Sequence, residues 1–175
     1  MDAGTALYAK QGTTYVLKFV GEIRYTMGCS LEAFLDQLFA QHDYDDILID
    51  LTDATTIDST CLGLLAKIAN VVKSRFGRKT TLVSSNEDIN QILDGVGFAA
   101  VFNICNDREA TVAAYRQLPS LDPDKARLTK ILFEAHQILS ELNEDNRHKF
   151  KSVIEVLKNE VGGSDKASSY GQNNR

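Results

Sequence analysis

Residues 6–23, ALYAKQGTTYVLKFVGEI, alternate apolar and polar positions on both sides of Gly12. A period of two broken by one glycine predicts a hairpin of half-buried strands. Tyr15, Leu17 and Phe19 fall on one face, Val16, Lys18 and Val20 on the other, and Gly21 closes the second strand. The period then changes. In SLEAFLDQLFAQH (30–42), Leu31, Phe34, Leu35 and Leu38 recur at helical spacing. Ser30 is the expected cap, and Glu32 suits the positive end of the helix dipole. DILIDL (46–51) is short and almost wholly apolar, as a strand buried on both faces is.

The stretch TTIDSTCLGLL (55–65) reads as a loop of hydroxyl residues that turns into a helix behind Asp58. Leu62, Leu65, Ala69 and Val72 form that helix's apolar stripe, and Gly77 is its expected stop. KTTLVSS (79–85) predicts a strand, and NEDINQILDGVG (86–97) a helix with an Asn cap and a Gly end. VFNIC (101–105) predicts a last strand, and DREATVAAYRQL (107–118) a last amphipathic helix. Strands and helices that alternate in this way require parallel neighbours, so the fold class is α/β with a mixed sheet.

After LPSLDP the pattern is helical only. Asp122 followed by Pro123 is a strong helix start. Leu128, Ile131, Leu132, Ala135, Ile138, Leu139 and Leu142 then form a wide stripe. NEDN interrupts it, and Phe150, Val153, Ile154 and Leu157 carry a second helix to Gly162–Gly163. The expected division is a domain over 1–118, a helical extension over 119–162 and a disordered polar tail over 163–175. The extension's stripe must cover the domain, a second subunit or a partner.

Composition narrows the use of such a chain. Its 175 residues are 43% hydrophobic and 25% charged, with net charge −5. Acidic balance argues against a nucleic-acid partner or an anionic membrane surface. No apolar run approaches the roughly 20 residues of a membrane span, and the N-terminus lacks a signal-peptide pattern. Cys29, Cys61 and Cys105 form no CxxC pair, which fits free thiols in the cytoplasm better than disulfides or zinc.

Catalytic signatures are lacking. No GxSxG surrounds Ser59, and neither a P-loop nor GxGxxG follows a strand. His42, His136 and His148 are far apart in sequence and read as surface residues. No metal spacing and no cofactor motif stands out, so the expectation is a non-enzyme without metal or cofactor. At Asp58–Ser59 the plain reading is a helix cap. The sharper one is a modifiable hydroxyl: a phosphate on a helix N-terminus faces the positive end of the dipole, so the fold tolerates it.

With IDLTDATTIDSTCLGLLAKI in view, the chain resembles the STAS domains, specifically bacterial anti-sigma factor antagonists. Those domains carry a buried strand, then Asp-Ser-Ser/Thr-Gly-Leu-Gly opening a helix; here the motif is DSTCLG, Asp58 to Gly63. The likeness extends to the hairpin ending in GEI and to VGFAAVFNI, over about residues 5–117. The tail HQILSELNEDNRHKFKSVIEVL is similar to that of a gammaproteobacterial subgroup related to the anti-anti-sigma factor HsbA.

The resemblance implies a STAS-type sheet and a phosphoacceptor role for Ser59, served by a serine kinase and a phosphatase. It implies binding of an anti-sigma factor or equivalent output protein by the unphosphorylated form, through Asp58, Thr60, Cys61, Leu62, Gly63 and Arg24. Two positions depart from the pattern. Cys61 stands where the family has Gly, and Arg24 stands where many members are acidic. Arg24 is either a solvated strand-end residue or a guanidinium facing the Ser59 loop, able to pair with phosphoserine. The rival reading is a scaffold or sensory STAS protein whose C-terminal helices drive oligomerisation, with a homodimer as one outcome.

Overall fold

The computed structural model describes residues 3–107 and 114–169, the side chains of 164–169 excepted. β1 (Thr5–Gln11) and β2 (Thr14–Ile23) form the antiparallel hairpin, turned at Gly12, whose φ of 61° suits glycine. β2 then pairs in parallel with β3 (Asp46–Ile57), β3 with β4 (Thr80–Val83), and β4 with β5 (Phe102–Cys105). The six-stranded order is β5-β4-β3-β2-β1-β6, a mixed sheet. Between the parallel strands run α1 (Gly28–Phe39), α2 (Ser59–Phe76) and α3 (Glu87–Gly95). Ile47, Ile49 and Leu51 of β3 are fully buried beside Leu17, Phe19, Leu35 and Leu65, so the core forms where the longest strand meets the helices.

Several boundaries differ from the pattern reading. β2 does not stop at Gly21 but continues to Ile23, with register shifts at Lys18/Val20 and at Gly21/Glu22. That longer strand carries β3 with it: Gly21 pairs Ala54, Glu22 pairs Thr56 and Ile23 pairs Ile57. The expected hydroxyl loop is therefore strand, and Asp58 alone connects β3 to α2.

Ser30 does not cap α1. A 3-10 turn at Tyr25–Met27 feeds straight into that helix, and the Ser30 hydroxyl instead accepts a hydrogen bond from the Leu121 backbone. Asn86 caps α3 and Gly77 ends α2 in the left-handed region, both as expected.

Of the helix expected over 107–118, residues 108–113 lie outside the described residues. Arg116–Gln117 form a short strand, β6, antiparallel to β1. α4 (Lys125–Ser140) is capped by Asp124, which accepts from Arg127 N at 3.2 Å, rather than by Asp122. α5 (Glu144–Ser169) passes through Gly162–Gly163 without ending. Glycine costs a helix about 1 kcal/mol relative to alanine but does not stop one by itself.

The two C-terminal helices pack against each other, and α4 also packs against α2 and α1. Ile131, Ala135 and Leu139 are the buried residues of the α4 stripe. No helix among the described residues is long and apolar enough to cross a membrane.

Candidate functional site

Asp58 organises the start of α2. Its backbone is extended, and one carboxylate oxygen accepts from Cys61 N at 2.9 Å, which is the helix cap. The other oxygen accepts from Tyr25 N at 2.5 Å, and Asp58 N donates to Ile23 O at 3.0 Å. One residue thus clamps the end of β2 to the first turn of α2. Both oxygens are engaged by backbone amides, so Asp58 is a structural carboxylate.

Ser59 is the first residue of α2 and is half-buried, whereas Thr60 is 3% exposed. Consecutive helical residues point about 100° apart, and here that separates a hydroxyl at the site from one packed into the fold. Cys61, Leu62 and Gly63 are buried as well. Burial, with the Asp58 carboxylate beside it, pushes the Cys61 thiol well above its ordinary range. It is a packed thiol, not a reactive one.

The Ser59 hydroxyl meets the extension. Its Oγ lies 2.8 Å from His136 Nε2, and His136 Nδ1 lies 2.6 Å from the Leu132 carbonyl. A carbonyl only accepts, so in the neutral ring Nδ1 carries the proton and Nε2 accepts from the serine. His136 is 5% exposed and stacks edge-on to Phe150 of α5. The expectation that the histidines lie on the surface fails here, although His42 and His148 are exposed. Sequence offered no direct signal for a pair 77 residues apart.

A serine bonded to a histidine resembles a nucleophile and its base. The third partner is a backbone carbonyl rather than a carboxylate, and the hydroxyl faces a helix. The 520 Å³ concavity between β1 and α1 has neither residue in its lining. The pair joins the first turn of α2 to α4. Among the described residues no cluster of His, Cys, Asp and Glu could hold a metal ion.

Arg24 sits where the backbone joins this site, yet its guanidinium pairs with Glu22 at 2.9 Å and is 57% exposed. Gly63 has a different reason to be glycine. A Cβ there would stand 2.3 Å from the Ala135 carbonyl oxygen and 2.6 Å from its Cα, so α4 crosses α2 backbone to backbone. Leu128 and Ile131 likewise rest 3.5 Å from where a Cβ on Gly28 would lie, at the start of α1. The far end of the hairpin is anchored by Asn146, which donates to Val96 O at 3.0 Å and to Leu139 O at 2.9 Å.

Residues 6–111, more than half of the chain, match the STAS domain. The chain belongs to the STAS domain family. SpoIIAA, an anti-sigma factor antagonist solved in its unphosphorylated form, is similar in fold at 15% identity and TM-score 0.50, over 58% of this chain and 87% of its own. The protein TM1081, solved by NMR, is 23% identical with TM-score 0.50, over 57% of this chain and 78% of that one. An anti-sigma factor antagonist from Mycobacterium paratuberculosis is 20% identical with TM-score 0.49, over 58% and 85%. No curated protein matches. The family match ends before α4, so the expected likeness of the tail to the HsbA-related subgroup is untouched by it.

Proposed function

We propose that this chain is a non-enzymatic, cytoplasmic partner-switching protein with Ser59 as its phosphoacceptor. Unphosphorylated, it binds an anti-sigma factor or an equivalent output protein. A serine kinase ends that contact and a phosphatase restores it. The observation that carries the reading is the placement of Ser59: first residue of a helix whose cap is supplied by its neighbour Asp58, not by itself. A phosphate on Ser59 leaves that cap in place and lies at the positive end of the α2 dipole. Modification then changes the charge of the site by about two units without removing a bond the domain needs. The fold shared with SpoIIAA, an anti-sigma factor antagonist solved in its unphosphorylated form, is consistent with this use.

Purification from the native host with intact-mass measurement tests the first half. The expected result is a phosphatase-sensitive mass shift mapped to Ser59. Pull-downs with Ser59→Ala and Ser59→Asp test the second, and equal recovery of the same partners by both variants would count against switching.

A further inference from the structure

We propose that the α4–α5 hairpin is a displaceable cap over the Ser59 face, closed on the serine hydroxyl and shut out once that oxygen carries phosphate. The proposal rests on the reading of Ser59 as phosphoacceptor and adds a conformational device to it.

Three observations carry it. First, α4 occupies the motif itself: the Ala135 backbone lies against Gly63, and His136 bonds Ser59. A kinase or output protein that needs Ser59 through Gly63 cannot reach them while α4 is seated.

Second, the closing hydrogen bond has a fixed polarity. In the neutral ring Leu132 O holds the His136 proton on Nδ1, so Nε2 accepts, and the serine hydroxyl is the donor it meets. A phosphoserine has lost that hydrogen and brings three acceptor oxygens in its place. It brings them under a helix whose backbone already lies in contact with the first turns of α2.

Third, the cap is hung so that it can move. Residues 119–124, which join it to β6, are exposed and belong to neither helix nor strand. Apart from the Ser59–His136 bond, its polar ties to the domain lie toward its ends: Asn146 to Val96, Lys149 to Gly95, Arg127 to Glu32, and Leu121 N to the Ser30 hydroxyl in the linker.

In the serine form a kinase or output protein binds only by displacing the cap, so the open fraction scales its apparent affinity. Phosphate also displaces the cap, but it puts about two negative charges on the same face, so the opened phosphorylated form does not regain the output contact. Because α4 crosses at a glycine with an alanine above it, a competitor for this face is a helix presenting a small residue at the crossing.

The test uses the full chain with phosphoserine placed genetically at position 59, and hydrogen exchange as readout. The expected result is at least tenfold faster exchange across the amides of α4 than in the serine form, with β3 and β4 unchanged. Gly63→Ala should give the same opening without phosphate, since its methyl group meets the α4 backbone; if that variant is insoluble, Asn146→Ala replaces it. Unchanged or increased α4 protection in the phosphoserine chain overturns the proposal, as would be seen if a protonated His136 clamped the phosphate. Faster exchange in β3 as well also overturns it, because the whole domain would then be loosening. No partner protein is present in this measurement. Native protein devoid of phosphate at Ser59 therefore defeats the switching reading, and an unmoved α4 defeats the cap.

Discussion

The two halves of α2 are built differently. From Thr60 to Ala66 every residue is buried, while from Asn70 to Phe76 only Val72 is. The second half is an ordinary amphipathic helix, with Lys73, Ser74 and Arg75 facing water and Arg75 reaching the Tyr44 hydroxyl. The first half has the sheet on one side and α4 on the other. A helix apolar all round is stable only where it is covered all round. The first turns of α2 therefore require a lid, whether the hairpin of this chain or a protein that replaces it. The half that carries Ser59 is the half that cannot stand open without cost.

The sharpest way to break this comparison is to strike the sheet side. Leu65, fully buried, is two residues from Gly63 and so on the opposite side of the helix from α4. Leu65→Ala should destabilise the whole chain by about 2–5 kcal/mol, read as a lower urea midpoint with one cooperative transition. Loss of the hairpin alone, with the sheet's unfolding unmoved, would show that the sheet-side core is not where the first half of α2 draws its stability.

The α4 side should respond locally. Asn146→Ala removes two buried hydrogen bonds that tie the hairpin turn to Val96 and to the end of α4. The expected cost is about 1–3 kcal/mol. It should appear as faster exchange in α4 and α5, with protection of β3 and β4 retained. Equal losses in the sheet would mean that hairpin and domain unfold as one unit.

How much of this could be read in advance divides along the same line. Local chemistry was legible: Gly12 turning the hairpin, Asn86 capping α3, Gly77 ending α2, and the apolar run of β3. Contacts between distant segments were not. Thr55–Ile57 read as a loop because their polarity is that of a loop; they are strand because a bulged β2 runs on beside them. Asp122 and Asp124 were both competent caps flanking one proline, and the chain uses the second. His136 looked like a surface residue because nothing near it in sequence signals Ser59.

The start of α2 does carry a local mark of its covering. TCLGLLA, residues 60–66, carries no charge on any face. A helix with a single buried stripe does not need that, whereas a helix with a lid does.

Ser59→Ala now has a different expected cost than a cap residue would. Asp58 supplies the cap, so the alanine loses only the bond to His136. A double-mutant cycle of Ser59→Ala with His136→Ala should give a coupling of about 0.5–1.5 kcal/mol, measured by urea denaturation. A coupling near zero would mean that the hydroxyl does not hold the hairpin.

The smallest effect concerns Glu32, which touches both regions: its carboxylate lies 4.0 Å from Lys67 of α2 and 3.5 Å from Arg127 of α4. Burial raises its pKa above the usual carboxylate value, with Asp36 and Glu134 pushing the same way and the two cations pulling it back. A carboxyl whose folded pKa is raised binds its proton more tightly in the folded chain. Its contribution is fully present below the unfolded value and is lost as pH rises through the folded one. Glu32→Gln keeps the shape and removes the titration. Wild type should therefore lose stability relative to this variant as pH climbs from about 4, the ordinary glutamate range, and the gap should level off once Glu32 is ionised in both states. Paired urea denaturations across that range measure it. A wild type that instead gains on Glu32→Gln with rising pH would show that Lys67 and Arg127 outweigh burial. The link from α1 to α4 would then be an ion pair that fastens the hairpin, rather than a half-buried carboxylate that the hairpin partly covers.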